Sequence, residues 1–140
     1  MMLDRAGIER CVPHAGAMCL LDAVTQWDAL HIACSAAAPG AEHPLARDGM
    51  VPAVAAIEYA AQATAVHGTL LDARAARCGG MLATLNDVEL HCHGMAPGEG
   101  PLVVRAELVS RDAAACLYAF DVATPRRRIV SGRLMVAFTP

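Results

Sequence analysis

Between Pro52 and about Leu71 the chain carries its one long helical pattern, and what flanks it reads as mostly extended or turning. The run PAVAAIEYAAQATAVHGTLL is rich in alanine, a strong helix former. Proline suits the first helical position, where its missing N–H would have no partner in any case. At helical spacing, Ile57, Ala61, Ala65 and Gly68 share one face, and Val54, Glu58, Gln62 and Val66 share the adjacent one. Such small side chains let a helix lie close against a sheet. Cys78, Gly79 and Gly80 punctuate the end of the pattern, which fades between Leu71 and Ala76.

The other elements are short. Residues 4–11 suit a brief helix ending before Pro13. Residues 18–25 and 29–38 read as the strands of a hairpin turning at Gln26, Trp27 and Asp28. Residues 39–51, with Pro39, Gly40, Pro44 and Gly49, read as a loop. After the helix comes a long strand over 81–93, bent near Asn86 and Asp87, and then a turn from Met95 to Gly100. Strands at 101–111, 114–123 and 129–138 complete the chain. One long helix with five or six antiparallel strands is an α+β layout, a curved sheet wrapped around the helix. A single helix leaves sheet edges and apolar loops uncovered, so a dimer is expected.

Composition narrows the function. The chain has 140 residues, 56% hydrophobic and 18% charged, which fits one packed domain over 1–140. Its net charge of −3 gives no footprint for nucleic acid. Arg126, Arg127 and Arg128 form the only basic run, either a solvated loop or a contact to a phosphate or acidic partner. Six cysteines lie scattered without a CxxC pair, as expected of reduced core residues rather than a disulfide framework. The N-terminus has no signal-peptide pattern, and no run is apolar enough to span a bilayer, so a cytoplasmic protein away from the membrane is expected.

The chemistry concentrates between His43 and Gln62. A histidine in the loop can be neutral and basic near neutral pH. A glutamate on an apolar helix face, Glu58, can hold a proton when partly buried. Together they can remove a proton from one atom and deliver one to another. After Pro52, the N–H groups of Ala53, Val54 and Ala55 are unpaired within the helix and would polarise a carbonyl placed there. Gln62 lies one turn beyond Glu58 and could orient it.

Other candidates are weaker. His91 and His93 would share a face of a strand, but no second cluster supplies the remaining ligands of a zinc site. His14 and His67 read as structural, His67 alternatively at an interface. Ser35, Ser110 and Ser131 lack a GxSxG setting, and no nucleotide-binding glycine pattern appears.

These residues resemble the hot-dog-fold β-hydroxyacyl-acyl-carrier-protein dehydratases. The resemblance starts at Val12-Pro13-His14-Ala15-Gly16-Ala17-Met18-Cys19-Leu20-Leu21-Asp22. It continues through His43-Pro44, Pro52, Ile57-Glu58 and Ala61-Gln62, and returns at Met95-Ala96-Pro97-Gly98-Glu99. It covers nearly the whole chain and is nearest to the dehydratases of bacterial aryl-polyene-type clusters. Three departures stand out: the usual phenylalanine after the histidine is absent, the His-to-Glu spacing is about one residue longer, and Ala53 replaces a glycine, so a methyl group narrows the approach to its N–H.

The resemblance implies a hot-dog fold and a dimer whose two sheets join edge to edge. It implies an active site between subunits, with His43 from one chain and Glu58 from the other. The expected reaction is dehydration of a 3-hydroxyacyl thioester on acyl carrier protein or coenzyme A. Pro52, Ala53, Val54 and Gln62 would contact substrate or orient the acid, and no cofactor is required. Two alternatives remain open: thioester hydrolysis on the same fold, and a catalytically weak subunit that associates with a carrier protein or another hot-dog subunit.

Overall fold

The computed structural model describes residues 3–12, 19–40, 42–72, 80–96 and 99–138. The elements run α1 (Arg5–Glu9), β1 (Ala23–Trp27), β2 (His31–Ala36), β3 (Val51–Pro52), a 3-10 turn (Ala53–Ala55), α2 (Ala56–Asp72), β4 (Gly80–Leu90), β5 (Gly94–Met95), β6 (Leu102–Arg111), β7 (Ala115–Ala123) and β8 (Arg128–Phe138). Six strands form one antiparallel sheet in the order β1-β2-β6-β7-β8-β4, and β3 pairs with β5 beside it. The helix α2 packs on β2, β6, β7 and β8. This is the expected hot-dog arrangement, with the helix as its filling.

Alternation along the strands makes the wrap. In β7, Cys116, Tyr118, Phe120 and Val122 are buried while the residues between them are only partly so. Ile32, Cys34 and Ala36 of β2 and Leu102, Val104 and Ala106 of β6 face the same core. Successive side chains of a strand point to opposite faces, so this period of two gives the sheet one apolar surface. The helix answers with Ala56, Tyr59, Ala60, Ala63, Val66 and His67, all buried. Alanines at 56, 60 and 63 bring its backbone close to the strands. Cys34 is fully buried, and burial pushes its thiol up to about 12.

Most expected elements are present, with four shifts. The first strand, expected over 18–25, runs Ala23–Trp27. The hairpin turn falls at 28–30, not at Gln26-Trp27-Asp28: Trp27 stays in β1, and the Asp28 carboxylate accepts the N–H groups of Leu30 and His31 at 2.9 and 2.8 Å. An aspartate so placed closes the turn on itself. Pro52 ends β3 with an extended ψ of 145° and stands just before the helical turns instead of within them. His91–His93 follow the end of β4 in a bend, so the shared-face geometry of a strand does not apply to them. The expected bend in β4 is real: pairing with β8 slips between Asn86 and Glu89, and Asp87 has a φ of 53°. The expected helix end at residues 78–79 and His14 lie outside the described residues.

Candidate active site

A short ladder anchors the start of the central helix. Val51 pairs with Met95 and Pro52 with Gly94, and the Ala53 N–H donates to the His93 carbonyl at 2.9 Å. Gly94 has no room for a side chain: a Cβ there would come within 2.6 Å of Met50 Sδ and 2.7 Å of the Val51 carbonyl oxygen. Arg127 braces the same ladder by donating to the Gly94 carbonyl at 3.1 Å and to the Glu99 carboxylate. Of the basic run, then, Arg127 and Arg128 are engaged within the chain, Arg128 with Asp121 at 2.8 Å.

This corrects the expectation for Ala53. Its N–H is already engaged by a carbonyl from a bend forty residues later, so it is not an open donor for a substrate oxygen. In the 3-10 turn the i→i+3 bonds take up the donors from Ala55 onward, so the donor that this helix start leaves without a carbonyl one turn back is that of Val54. Val54 is exposed there.

Glu58 sits in the first turn of α2 and is half-buried. Gln62, one turn on, is buried and donates from Nε2 to Glu58 Oε1 at 3.2 Å, while its Oε1 accepts the Leu20 N–H at 2.9 Å. The glutamine therefore ties the acid to the segment entering β1.

His43 lies in the loop before β3. Its Nδ1 accepts the Leu45 N–H at 3.0 Å, so a neutral ring carries its hydrogen on Nε2. Nε2 then donates to the Tyr59 hydroxyl at 2.9 Å. Burial lowers the His43 pKa below its ordinary 6.5, which keeps the ring neutral. Tyr59 is a residue the sequence reading passed over. The available signal was its position, directly after Glu58 and one of only two tyrosines in the chain. Among the described residues, one chain makes no direct His43–Glu58 hydrogen bond; each group is held by a different neighbour.

The remaining histidines do other work. His67 is fully buried; its Nε2 donates to the Asp28 carbonyl at 2.8 Å, and its Nδ1 accepts the Tyr118 hydroxyl at 2.7 Å. It ties the helix to the hairpin and to β7, in keeping with a structural role. His91 Nε2 lies 2.9 Å from the Ser131 hydroxyl. Among the described residues no group of three or more His, Cys, Asp or Glu is placed to hold a metal ion, and no helix is long and apolar enough to cross a membrane. An open cleft of about 510 Å³ between Trp27, His31, Arg105, Glu107 and Phe120 lies away from this site and includes neither His43 nor Glu58.

A central helix in an antiparallel wrap is the hot-dog fold. Solved structures place the chain there. One is the dehydratase heterocomplex ApeI:P from Xenorhabdus doucetiae, with a TM-score of 0.82 and 24% identity, covering 95% of this chain and 91% of that one. Others are AziG of S. sahachiroi, with a TM-score of 0.69 and 12% identity over 92% and 98% of the two chains, and a mutant of the thioesterase SAV0944 from Staphylococcus aureus, with a TM-score of 0.64 and 17% identity over 84% and 92%. Among curated proteins none matches the sequence significantly. The chain belongs to the ApeP-like family, described as ApeP dehydratase, whose family model matches residues 6–140.

Proposed function

We propose that this chain takes part in dehydrating a 3-hydroxyacyl thioester carried on acyl carrier protein to the trans-2-enoyl thioester, in polyene-type biosynthesis of the aryl-polyene kind. Membership of the ApeP-like family across residues 6–140 carries this reading. The local geometry supports it, with a neutral, partly buried histidine and a glutamate held by a buried glutamine.

The reaction must break a C2–H bond and a C3–OH bond and form a C2=C3 double bond. Neither bond breaks readily alone, because the α-proton is weakly acidic and hydroxide is a poor leaving group. In our reading His43 takes the α-proton, and Glu58, protonated beforehand, gives its proton to the departing hydroxyl, which leaves as water. The Val54 N–H would polarise the thioester carbonyl as enolate charge builds. Gln62 would aim Glu58. Within one chain His43 and Glu58 are held by different neighbours, so we place the site between two subunits, each giving one of the pair. The apolar flank of α2 would line the acyl chain. Nothing in this scheme calls for a cofactor.

The test is turnover of a 3-hydroxyacyl carrier thioester, followed as enoyl product. Loss of activity in both His43→Ala and Glu58→Gln proteins is expected; full activity in both would remove the mechanism. Release of free thiol without enoyl product would favour a thioesterase instead.

A second reading is a subunit that works only with another hot-dog chain. The engaged Ala53 N–H and the glycine-to-alanine departure favour it, as does β4, a sheet border with Leu85 and Leu90 exposed. The ApeI:P structure is itself a heterocomplex. Silence of the purified chain, with activity restored by a second hot-dog dehydratase subunit, would select this reading.

A further inference from the structure

We propose that Tyr59 is a positioning residue for His43: its hydroxyl holds the hydrogen-bearing Nε2 and so fixes the ring with Nδ1 as its acceptor. This deepens the dehydratase reading and, for turnover, rests on it.

Three observations carry the inference. First, the Leu45 N–H can only donate, so the Nδ1 it meets at 3.0 Å is the bare nitrogen, and the single hydrogen of the neutral ring sits on Nε2. Second, Nε2 lies 2.9 Å from the Tyr59 hydroxyl, with the two rings stacked at 23° and 5.9 Å between centroids. Third, Tyr59 is 2% exposed and projects from α2, so the hydroxyl is fixed by a packed helix and not by the loop that carries His43. A phenylalanine would fill the same core volume. The hydroxyl therefore has no packing task, and its described partner is the imidazole.

The chemistry follows from that bond. Which nitrogen of a histidine reacts is set by what holds the other one. With Nε2–H directed at Tyr59, Nδ1 is the one atom of the ring that can take a proton, and taking it requires the ring to give up the Leu45 N–H. The ring then becomes a cation with a hydrogen on each nitrogen. Its bond to the Tyr59 oxygen turns charge-assisted and strengthens at the moment the charge forms. Burial keeps the phenol protonated, with a pKa pushed up to about 12, so it acts as a neutral acceptor rather than as a competing base.

The experiment compares Tyr59→Phe in two backgrounds. In the otherwise unchanged protein, kcat is expected to fall about 10–100-fold with KM nearly constant, the loss typical when the group orienting a reactive side chain is removed. In a His43→Ala background the same substitution should cost nothing further, because Tyr59 acts through His43. In protein labelled with ¹⁵N-histidine, a slowly exchanging Nε2 hydrogen of His43 should be visible and should be lost in Tyr59→Phe. An equal loss of turnover in both backgrounds, or an Nε2 hydrogen indifferent to the substitution, overturns the proposal. The resonance needs no turnover. A chain without dehydratase activity would therefore defeat the functional reading and leave the role of Tyr59 to be decided by the spectrum.

Discussion

Gln62 accepts the Leu20 N–H through Oε1, and that bond decides which way its amide faces. With the oxygen committed to Leu20, the NH₂ group is the end that meets Glu58, at 3.2 Å. Gln62→Met keeps the side-chain length and removes both functions. It leaves a buried backbone N–H unanswered, which costs about 1–3 kcal/mol. It also removes the amide that Glu58 meets at 3.2 Å. The expected outcome is a lower urea midpoint together with a loss of turnover of about 10–100-fold, measured by chemical denaturation and by the enoyl assay.

The acid limb of the kcat/KM profile should lie below the ordinary histidine value of 6.5, because burial lowers the His43 pKa. A base must be neutral to work, and a depressed pKa keeps it neutral further into acid. A limb at or above 6.5 would contradict this assignment.

If His43 and Glu58 meet across subunits, two dead proteins can make one live site. Mixing His43→Ala with Glu58→Gln chains and allowing exchange should recover about a quarter of the normal activity, since half the dimers are hybrid and each hybrid has one intact site of two. No recovery after confirmed exchange would place both groups in one chain.

Stability should fall as the pH drops below 6.5. Burial depresses the His67 pKa from that value, and burial acts the same way on His43. Below 6.5 the unfolded chain binds protons that the folded chain refuses, so folding weakens with acid and levels off at higher pH. His31 works in the opposite sense: hydrogen bonds to Asp28 and Glu107 raise its pKa, but the group is exposed and screened. His67→Phe should reduce the acid sensitivity while lowering the plateau by about 1–3 kcal/mol, because the Tyr118 hydroxyl and the Asp28 carbonyl lose their partner. Urea titrations from pH 5 to pH 8, about one unit or more on either side of a histidine midpoint, would check both.

Gly94→Ala should loosen the start of α2. Its methyl would overlap the Met50 sulfur and the Val51 carbonyl, so β3 and β5 must part. A loss of about 1–3 kcal/mol is expected from such overpacking, with faster amide exchange at Ala53.

The sheet and helix were legible because their signals are local. Alternation in 115–123 and alanine spacing in 56–67 depend only on period, and both elements stand where the pattern puts them. The Glu58–Gln62 contact was legible for the same reason, the two residues lying one turn apart. What escaped depends on contacts distant in sequence. The pairs Val51–Met95 and Pro52–Gly94 are too short to show a period, yet they engage the Ala53 N–H that local reasoning left open. Trp27 reads as a turn residue until Asp28 closes the turn beyond it. Tyr59 has no local signal of its own, and its hydroxyl gains meaning only when His43, sixteen residues earlier, folds back onto it.

Cys34 sits in β2 between Val24 of β1 and Val104 of β6, sealed from water and with its thiol pushed up to about 12. A reagent that attacks thiolates finds almost none there while those strands stay paired. Labelling at this one atom would therefore tick at the pace of strand separation, a built-in clock for how often the wrap comes undone.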